Sequence, residues 1–405
     1  MKKILFVINT LGRAGAETAL IELLNHLDVD EYEISLYVLL GQGEMISKVP
    51  QKIHVKNKKI CTDSVLSSAG RQKMLLTSLA ALFRNGHTGE KIAYIIKNLC
   101  VMKKTGKIQP DKLLWRVVSD GADRFDEKFD LAVAYLEGGS TYYVADHVNA
   151  KKKAAFVHIA YGDSGYTREM DRGCYEKMDV IYTVSKETRR HFLEFYPEYE
   201  KKVQIFHNII DSERIEREAK KLGGFSDSYD GVRILTVGRL AYQKAYDIAV
   251  QAMRQIKDAG YQARWYIIGE GAERKALEKQ IAELGLQADF VLLGMKENPF
   301  PYYAQCDLYV HATRFEGKSI AIQEAQMLGC AVIASDCAGN REQMEDGVDG
   351  LLCPLTPEGI AEKIEELIDD PEKKNRLAAA AKQKVNGQTE KIQRLLDLMI
   401  NSIYT

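Results

Sequence analysis

The segment at residues 313–340 reads TRFEGKSIAIQEAQMLGCAVIASDCAGN and contains a turn, a helix and a strand in close succession. The turn at 317–319 leads into an apolar helix that ends at Gly329, and a continuous apolar strand at 330–335 follows. A turn that precedes a helix N-terminus presents free backbone N–H groups and the positive end of the helix dipole, which suits a phosphate. Glu324 lies about one and a half turns into the helix, within reach of a sugar hydroxyl beside that phosphate. The segment therefore predicts a site for a phosphorylated sugar.

The same succession of strand and helix recurs along most of the chain. The apolar runs are near-continuous rather than alternating, which is typical of parallel strands covered on both faces. Strands that alternate with helices predict an α/β fold with doubly wound parallel sheets. A first series of predicted strands covers 4–8, 34–39, 131–136, 155–159, 180–184 and 203–206, and a second covers 233–237, 265–268, 290–293, 308–311, 331–334 and 350–353.

The two series predict two Rossmann-like domains, because 405 residues are long for a single domain. We place the first domain at 1–210 and the second at 211–387, with the boundary in a polar stretch that contains Gly223 and Gly224. Ligands of such sheets bind beyond the carboxyl ends of the strands, so two facing domains predict a ligand in a central cleft. The remaining residues, 388–405, form an amphipathic pattern that predicts a helix packing back on the N-terminal domain.

Charge is balanced overall but uneven along the chain. The net charge of −1 gives no global argument for nucleic acid. Between Arg71 and Arg116, however, ten lysines and arginines stand against two acidic residues, within two predicted amphipathic helices. This basic helical insertion indicates contact with an anionic membrane surface, with a solvated basic face as the alternative. Stacking aromatic residues are sparse there, Tyr94 and Trp115 apart, which argues against a nucleic-acid partner.

Several features predict a cytoplasmic protein without a metal or cofactor. The seven cysteines are scattered and form no CxxC pair, as expected of reduced thiols. The apolar run at 4–8 is too short for a signal peptide and is better explained as a buried strand. No window reaches the ~18 apolar residues of a membrane helix. The Asp28-Val29-Asp30 sequence matches a DxD metal motif, but it follows a helix at the wrong end of the sheet and is interpreted as a solvated turn.

Two cations follow the first strand of the second domain. Gly238-Arg239 comes directly after the strand at 233–237, and Lys244 follows just before a helix. Cations at the carboxyl edge of a parallel sheet suit a diphosphate, Arg as a planar fork and Lys as a point charge. Surface charges in salt bridges are the alternative for this pair alone. Together with the segment at 313–340, the pair favours a diphosphate site.

Other strand ends carry weaker signals. Gly269 and Gly271 follow the strand at 265–268 without the GxGxxG spacing of a dinucleotide fingerprint. Either these two glycines let a nucleotide approach the backbone or they only form the turn. In the first domain, a glycine-rich turn with Gly15 leads into a helix that contains Glu17, and this turn is a further candidate for ligand contact.

Two polar residues stand at later strand ends of the first domain. Glu137 follows the strand at 131–136, and His158 lies in the last part of the strand at 155–159. Because an isolated histidine is usually structural, the residues alone leave the role of His158 open.

Together these residues resemble the retaining glycosyltransferases of the GT-B fold, of the family 4 type (glycosyl transferases group 1). The resemblance spans most of the chain, and the Arg–Lys pair with the spaced glutamates is its most specific part. The motifs that carry it are the glycine-rich first turn with Glu17, His158, Asn208-Ile209-Ile210-Asp211, Gly238-Arg239 with Lys244, Gly269-Glu270-Gly271, and Glu316 spaced from Glu324 by seven residues.

The resemblance implies a role for each of these residues. Arg239 and Lys244 would hold the donor diphosphate, and the backbone N–H groups of Ser319 and Ile320 would bind the distal phosphate. Glu324 would bind the ribose hydroxyls, Glu316 would face the transferred sugar, and His158 would lie beside the reacting carbon. The residues that would line the donor are Gly15, Gly238, Gly269 and Gly271. Glu17 and Glu137 would lie on the acceptor side.

Three positions depart from the family pattern. Ala14 precedes Gly15 where the family usually has two glycines, and Ala245 follows Lys244 where it usually has a glycine. Lys318 stands where an aromatic or apolar residue is common, either as a further phosphate contact or as a solvent-facing side chain.

The implied function is transfer of a sugar from a nucleoside-diphosphate sugar, with UDP favoured, to a hydroxyl of a saccharide or lipid-linked saccharide. Transfer would retain the anomeric configuration, need no metal, and serve bacterial surface polysaccharide synthesis, at the inner face of the plasma membrane. One alternative is a UDP-sugar 2-epimerase of the same fold, against which the spacing of Glu316 and Glu324 argues. Another is a non-catalytic nucleotide-sugar-binding subunit, which the alanine departures alone support.

Overall fold

The computed structural model describes residues 1–65, 67–105, 110–159, 161 and 165–386. The chain forms two compact units. Met1–Ile209 belong to the first unit, and the second unit starts at Ile210. Each unit is built on a parallel sheet with helices, which confirms the predicted fold class. The helix predicted at 388–405 lies outside the described residues.

The first unit contains a seven-stranded parallel sheet of order β3-β2-β1-β4-β5-β6-β7. The central strand β1 pairs with β2 on one side and with β4 on the other, so the strand order reverses between β1 and β4. Ligands of doubly wound sheets bind at such a reversal. Its strands are β1 (Lys2–Ile8), β2 (Tyr32–Val38), β3 (His54–Val55), β4 (Phe129–Ala134), β5 (Ala150–Val157), β6 (Val180–Thr183) and β7 (Val203–Ile205).

The first series of predicted strands is confirmed within a few residues at each end. The edge strand β3 was missed, because two residues are too few to give a periodic pattern. The helices of this unit are α1 (Gly15–His26), α2 (Ser68–Phe83), α3 (Thr88–Thr105), α4 (Pro110–Gly121), α5 (Gly139–His147), α6 (Arg168–Asp171) and α7 (Lys186–Phe195).

The basic insertion contains three helices, so the prediction of two was wrong. Helices α2 and α3 are the two expected, and α4 is the third. Leu113, Val117 and Val118 of α4 are almost fully buried, so this helix packs into the unit as core. The sequence argument grouped the start of α4 with the basic surface because Lys112 and Arg116 add to the local positive charge.

A buried polar cluster stands in the core of the first unit. The Asp171 carboxylate is 1% exposed and accepts hydrogen bonds from the hydroxyls of Tyr142 (2.9 Å), Tyr161 (2.6 Å) and Tyr196. Burial raises the pKa of Asp171, and the three hydroxyl donors oppose that rise. Arg116 donates to the carbonyl oxygen of Asp171 at 3.0 Å and stacks on Tyr142. The cluster therefore ties α4, α5, α6 and α7 together through polar contacts.

The second unit contains a six-stranded parallel sheet of order β10-β9-β8-β11-β12-β13. Its strands confirm the second predicted series and are β8 (Val232–Val237), β9 (Ala263–Ile268), β10 (Phe290–Gly294), β11 (Leu308–His311), β12 (Ala331–Ser335) and β13 (Leu351–Cys353). Its helices are α8 (Ser212–Ala219), α9 (Tyr246–Asp258), α10 (Arg274–Glu283), α11 (Phe300–Gln305), α12 (Ile320–Met327), α13 (Ala338–Arg341), α14 (Pro357–Asp369) and α15 (Pro371–Asn386).

The strand order of the second sheet reverses between β8 and β11. These two strands pair directly, with Ile234 opposite Leu308, and their carboxyl ends therefore meet at one edge of the sheet. Trp265 is fully buried on β9 and donates its indole N–H to Thr236 on β8 at 2.9 Å, which satisfies its polar atom inside the core. The sheet thus gives the segments after β8 and β11 a rigid base.

Across the described residues, no helix is both long and apolar enough to cross a bilayer. The Asp28-Val29-Asp30 sequence lies in a turn after α1, where the Asp28 carboxylate accepts the N–H of Asp30 at 2.8 Å.

Candidate active site

Lys244, Glu316 and His311 meet at the edge where β8 and β11 end. The Lys244 ammonium forms a close ion pair with Glu316, and His311 Nε2 lies 3.1 Å from the same carboxylate oxygen. Lys244 Nζ is 3.4 Å from His311 Nε2, so the three groups form a triangle. Burial alone would raise the pKa of Glu316, but Lys244 and His311 together hold it well below its usual range. Glu316 is therefore ionised at neutral pH.

The segment that contains Lys244 is fixed to the segment that contains Glu316. The carbonyl oxygen of Gln243 accepts the Arg314 N–H at 2.8 Å and the Thr313 hydroxyl at 3.0 Å. The Gln243 side-chain amide donates to the carbonyl oxygen of Phe315 at 2.8 Å. Each of these bonds involves the backbone of one of the two segments, so the meeting of Lys244 with Glu316 does not depend on their two side chains alone.

Arg314 adds a second tie between the same two segments. Its guanidinium makes a two-pronged salt bridge with Asp247, at 2.7 and 3.0 Å, and stacks on Tyr242. Because Asp247 lies in the first turn of α9, this bridge anchors the helix start behind Lys244.

The predicted glycines after β8 and β9 pack against one another. A Cβ on Gly269 would lie 1.9 Å from the carbonyl oxygen of Gly238, and a Cβ on Gly271 would lie 2.2 Å from that of Leu240. Gly269 also has φ of +153°, a conformation that favours glycine. These contacts explain both glycines by the close approach of the loops after β8 and β9, an explanation that is neither of the two offered by the sequence.

Arg239 and the start of α12 offer unused hydrogen-bond donors at this edge. The Arg239 side chain is exposed and has no hydrogen bond or ion pair to any described residue. The Ser319 hydroxyl caps α12 by accepting the Ile322 N–H at 3.4 Å. The backbone N–H groups of Lys318, Ser319 and Ile320 have no partner within the part of the chain described. A guanidinium and the first N–H groups of a helix are suited to phosphate oxygens.

Glu324 is held from behind by Tyr303. The carboxylate is 9% exposed, and its Oε2 accepts the Tyr303 hydroxyl at 3.0 Å. Burial raises the pKa of Tyr303, so its hydroxyl stays protonated and acts as a donor. The bond fixes the rotamer of Glu324 about one and a half turns into α12.

The two departures from the family pattern in this unit have structural consequences. Ala245 is fully buried and adopts the left-handed conformation, with φ of +49° and ψ of 32°. Glycine takes this conformation freely, whereas alanine pays about 1 kcal/mol. Lys318 is half-buried rather than fully solvated, and burial lowers its pKa, opposed by the negative charge of Glu342.

In the first unit, Glu137 and His158 contact each other. Glu137 is buried after β4, and its Oε2 accepts the backbone N–H of His158 at 3.0 Å. Its own carbonyl oxygen accepts the Asn9 side-chain amide at 3.1 Å, and Asn9 directly follows β1. Burial raises the pKa of Glu137. The reversal point between β1 and β4 therefore carries a connected set of polar groups.

The His158 imidazole is neutral and rests against two aromatic rings. Burial lowers its pKa to about 4. Tyr135 lies at a ring-centroid distance of 5.3 Å and Phe156 at 6.0 Å. Its Nε2 is buried and has no hydrogen-bond partner among the described residues. A neutral ring with an unused nitrogen can hydrogen-bond to a ligand, but it cannot act as an imidazolium acid near pH 7.

The other predicted residues of the first unit stand at the start of α1. Gly15 is the first residue of α1, and Glu17 lies in its first turn with 9% exposure. Ala14 occupies the N-cap position with φ of −140° and makes no side-chain cap. Because this φ is ordinary extended backbone, the alanine fits without strain.

Several supporting residues escaped the sequence argument. His311 and Tyr303 contact the two glutamates, and Ser335 Oγ accepts the Thr313 N–H at 3.0 Å, which ties β12 to the loop after β11. A Cβ on Gly339 would lie 2.2 Å from the carbonyl oxygen of Glu316, so the glutamate loop rests on α13. Of these, only His311 had a visible signal, a polar residue at the end of an apolar strand.

Two units that are each built on a parallel sheet with helices are the architecture of the GT-B fold of glycosyltransferases. Residues 227–384 match the family described as Glycosyl transferases group 1. The predicted family resemblance is thereby confirmed.

Known relatives include two transferases of Campylobacter jejuni. An N-acetylgalactosaminyltransferase named for a diphospho-undecaprenol-linked saccharide is 32% identical over 185 residues, which are 45% of this chain and 49% of the relative. A second N-acetylgalactosaminyltransferase, also named for an undecaprenol-linked saccharide, is 24% identical over 95% of this chain and 94% of its own length. The first match spans about half the length of that relative.

A solved structure shares the fold over the full length. HepE of Anabaena, crystallised with UDP and glucose, superposes with a TM-score of 0.70, 18% sequence identity, and coverage of 99% of this chain and 100% of HepE.

Proposed function

We propose that the protein is a glycosyltransferase that moves a sugar from a UDP-sugar to a hydroxyl of a saccharide or lipid-linked saccharide. The observation that carries the proposal is the cluster at the ends of β8 and β11. There Lys244 and Arg239 follow β8, and the first N–H groups of α12 have no partner among the described residues. We infer that these groups bind a diphosphate and that Glu324 binds the ribose. The match of residues 227–384 to a glycosyltransferase family supports the same reaction class.

The proposed roles of these residues follow from where negative charge develops as the sugar is transferred. As the bond between the anomeric carbon and the phosphate oxygen breaks, its electron pair goes to the leaving diphosphate, and the sugar gains oxocarbenium character. Arg239, Lys244 and the helix N-terminus would stabilise the new negative charge without reorganising at the moment of reaction. Since two side-chain cations and a helix N-terminus supply this stabilisation, we propose that transfer needs no metal.

Retention of configuration is the finer part of the proposal. Glu316 is ion-paired with Lys244 and hydrogen-bonded to His311, so this carboxylate is occupied and poorly suited to attack the sugar. We favour departure of the diphosphate and attack by the acceptor on the same face. Proton NMR of the anomeric centre of the product tests this, and a product with inverted configuration contradicts it.

The donor assay tests the function as a whole. Purified full-length protein is incubated with a panel of UDP- and GDP-sugars and with lipid-linked saccharides, and products are detected by mass spectrometry. Parallel reactions without acceptor reveal a 2-epimerase, because epimerisation converts the sugar nucleotide alone. The absence of any donor turnover across the panel, with nucleotide binding retained, would favour a binding subunit instead.

Glu324→Ala should raise the donor KM by about tenfold or more, because a hydrogen bond to a charged group contributes roughly 1.5–3 kcal/mol. Steady-state kinetics with the best UDP-sugar measure the change. Glu283→Ala is the matched control, since Glu283 is a solvent-exposed glutamate of α10 with a side chain that is 63% exposed. An unchanged donor KM in Glu324→Ala would remove the ribose contact from the proposal.

We further propose that the protein works at the inner face of the membrane, through α2 and α3. Exposed apolar side chains recur on these helices, with Leu76 at 59%, Phe83 at 74% and Ile96 at 58% exposure. Lys103 and Lys104 are exposed in the last turn of α3. Apolar side chains that insert and lysines that meet anionic headgroups are the two parts of an interfacial anchor. An undecaprenol-linked acceptor, named for both Campylobacter relatives, would lie in such a membrane.

The double variant Leu76→Glu/Phe83→Glu should weaken binding to vesicles with anionic lipid by at least about tenfold, because each buried apolar side chain contributes roughly 1.5–3 kcal/mol. Vesicle co-flotation at fixed ionic strength measures the binding of each variant. Leu222→Glu is the control, as Leu222 is fully exposed in the second unit. Equal flotation of the double variant and the wild type would exclude α2 as the anchor.

A further inference from the structure

His311 is the last residue of β11 and is 1% exposed, yet both of its ring nitrogens face polar groups. Its Nδ1 lies 3.3 Å from the Tyr309 hydroxyl, and its Nε2 lies 3.1 Å from Glu316. These contacts give both buried ring nitrogens a polar neighbour, and one of the two neighbours is the Glu316 carboxylate. The ring is therefore part of the environment of the Glu316 carboxylate, although it is buried too deeply to line a donor site.

The position of the ring proton follows from these contacts. Burial lowers the pKa of His311, and the nearby charge of Lys244 lowers it further, so the ring is neutral and carries one N–H. A bare Nε2 would point a lone pair at the ionised Glu316, whereas a protonated Nε2 donates to it. The proton therefore sits on Nε2, and Nδ1 is left as an acceptor that faces the Tyr309 hydroxyl, which also lies 3.4 Å from the carbonyl oxygen of Val237.

Glu316 consequently has two partners that differ in mobility. The Lys244 ammonium ends a flexible chain and is also the cation proposed for the donor diphosphate. The His311 N–H is fixed by its strand and by Tyr309. When a diphosphate attracts Lys244, the attraction of Glu316 for the same ammonium competes, and a buried carboxylate that loses its ion-pair partner is strongly destabilised.

We propose that His311 is a positioning residue that holds Glu316 in place and lets Lys244 turn its charge to the donor diphosphate. The proposal rests on the proposed nucleotide-sugar function and adds a requirement for a specific N–H inside the sheet. Without that N–H, Glu316 depends on Lys244 alone and draws the ammonium away from the donor.

The test is UDP binding by isothermal titration calorimetry with full-length wild type, His311→Leu and His311→Gln. Leucine removes the N–H, whereas glutamine can place an amide N–H close to the position of Nε2. We expect His311→Leu to weaken UDP binding by about tenfold and His311→Gln to restore it to within about threefold, as for a hydrogen bond to a charged group. Thermal unfolding without ligand accompanies each titration as a check of folding.

A second background shows whether His311 acts through Glu316. In Glu316→Gln, the further change His311→Leu should alter UDP affinity by less than about twofold, because the partner carboxylate is absent. A full tenfold loss in that background would overturn the role, as would wild-type affinity in His311→Leu alone. If His311→Leu does not fold, His311→Gln decides the matter. A UDP affinity of His311→Gln that is more than tenfold below that of the wild type overturns the positioning role.

The proposed function and the role of His311 can fail separately. If the wild type binds neither UDP nor GDP, the nucleotide-sugar function fails, and the role of His311 fails with it. If the wild type binds UDP and only the His311 variants behave otherwise than expected, the proposed function stands and this inference alone is wrong.

Discussion

Lys244→Ala should lower kcat/KM for the donor sugar nucleotide by at least about a hundredfold, since one lost electrostatic donor in an active site costs roughly 2.7–4 kcal/mol of transition-state stabilisation. The ammonium meets Glu316 at the carboxyl edge of β8 and β11, close to the start of α12, whose first N–H groups have no partner in the described part of the chain. If Lys244 holds the leaving diphosphate, the loss should appear in kcat as well as in KM. Steady-state kinetics with the best UDP-sugar measure both.

The same variant removes the ion-pair partner of a buried carboxylate, so a loss of stability must be separated from a loss of catalysis. Lys244→Ala combined with Glu316→Gln removes both charges and should recover stability, because no unpaired buried charge remains. It should not recover transfer. Lys275→Ala, at an exposed lysine of α10, is the matched control and should leave kinetics unchanged. Turnover of Lys244→Ala within a factor of about three of the wild type would refute the role of Lys244.

The second unit was predictable because its chemistry stands at strand ends. Continuous apolar runs located β8 and β11, and parallel strands in one sheet bring their carboxyl ends to one edge. This places Lys244 and Glu316 together, as the structure has them. The roles of Arg239, Ser319 and Glu324 towards a nucleotide stay predictions.

What the sequence could not reveal is which residues stand behind these groups. Tyr303 reaches Glu324 from α11, twenty-one residues earlier in the chain, and no local pattern marks that contact. The left-handed conformation of Ala245 also contradicts the backbone preference of its residue type. Local propensity does not predict a left-handed alanine at the N-cap of α9.

The basic insertion shows that local charge can also mislead about which residues are buried. Local charge suggested one surface unit from Arg71 to Arg116, but Arg116 is 2% exposed and lies inside the first unit. Its guanidinium donates to the carbonyl oxygens of Met170 and Asp171 and pairs with Asp146. A charged residue is counted as surface by composition, whereas burial depends on partners that are distant in sequence.

These partners make the polar cluster around Asp171 a strong determinant of stability in the first unit. One carboxylate accepts from the hydroxyls of Tyr142, Tyr161 and Tyr196, all of them buried. Removing a shared acceptor leaves several buried donors without a partner, and each unsatisfied group costs roughly 1–3 kcal/mol. Removing the Asp171 carboxylate therefore lowers the free energy of unfolding more than removing any one of the three hydroxyls.

Asp171→Ala should destabilise the first unit by about 3 kcal/mol or more, because three tyrosine hydroxyls lose their acceptor and the removed carboxylate leaves a cavity. Hydrogen exchange followed by mass spectrometry reports each unit separately, so peptides from α4 to α7 should exchange faster while peptides from the second sheet should not change. Tyr175→Phe is the matched control, since its hydroxyl donates to Tyr161 at 3.3 Å and does not contact Asp171, and it should cost about 1 kcal/mol. Equal protection of α5 and α6 in Asp171→Ala and in the wild type would show that the cluster is not what holds these helices together.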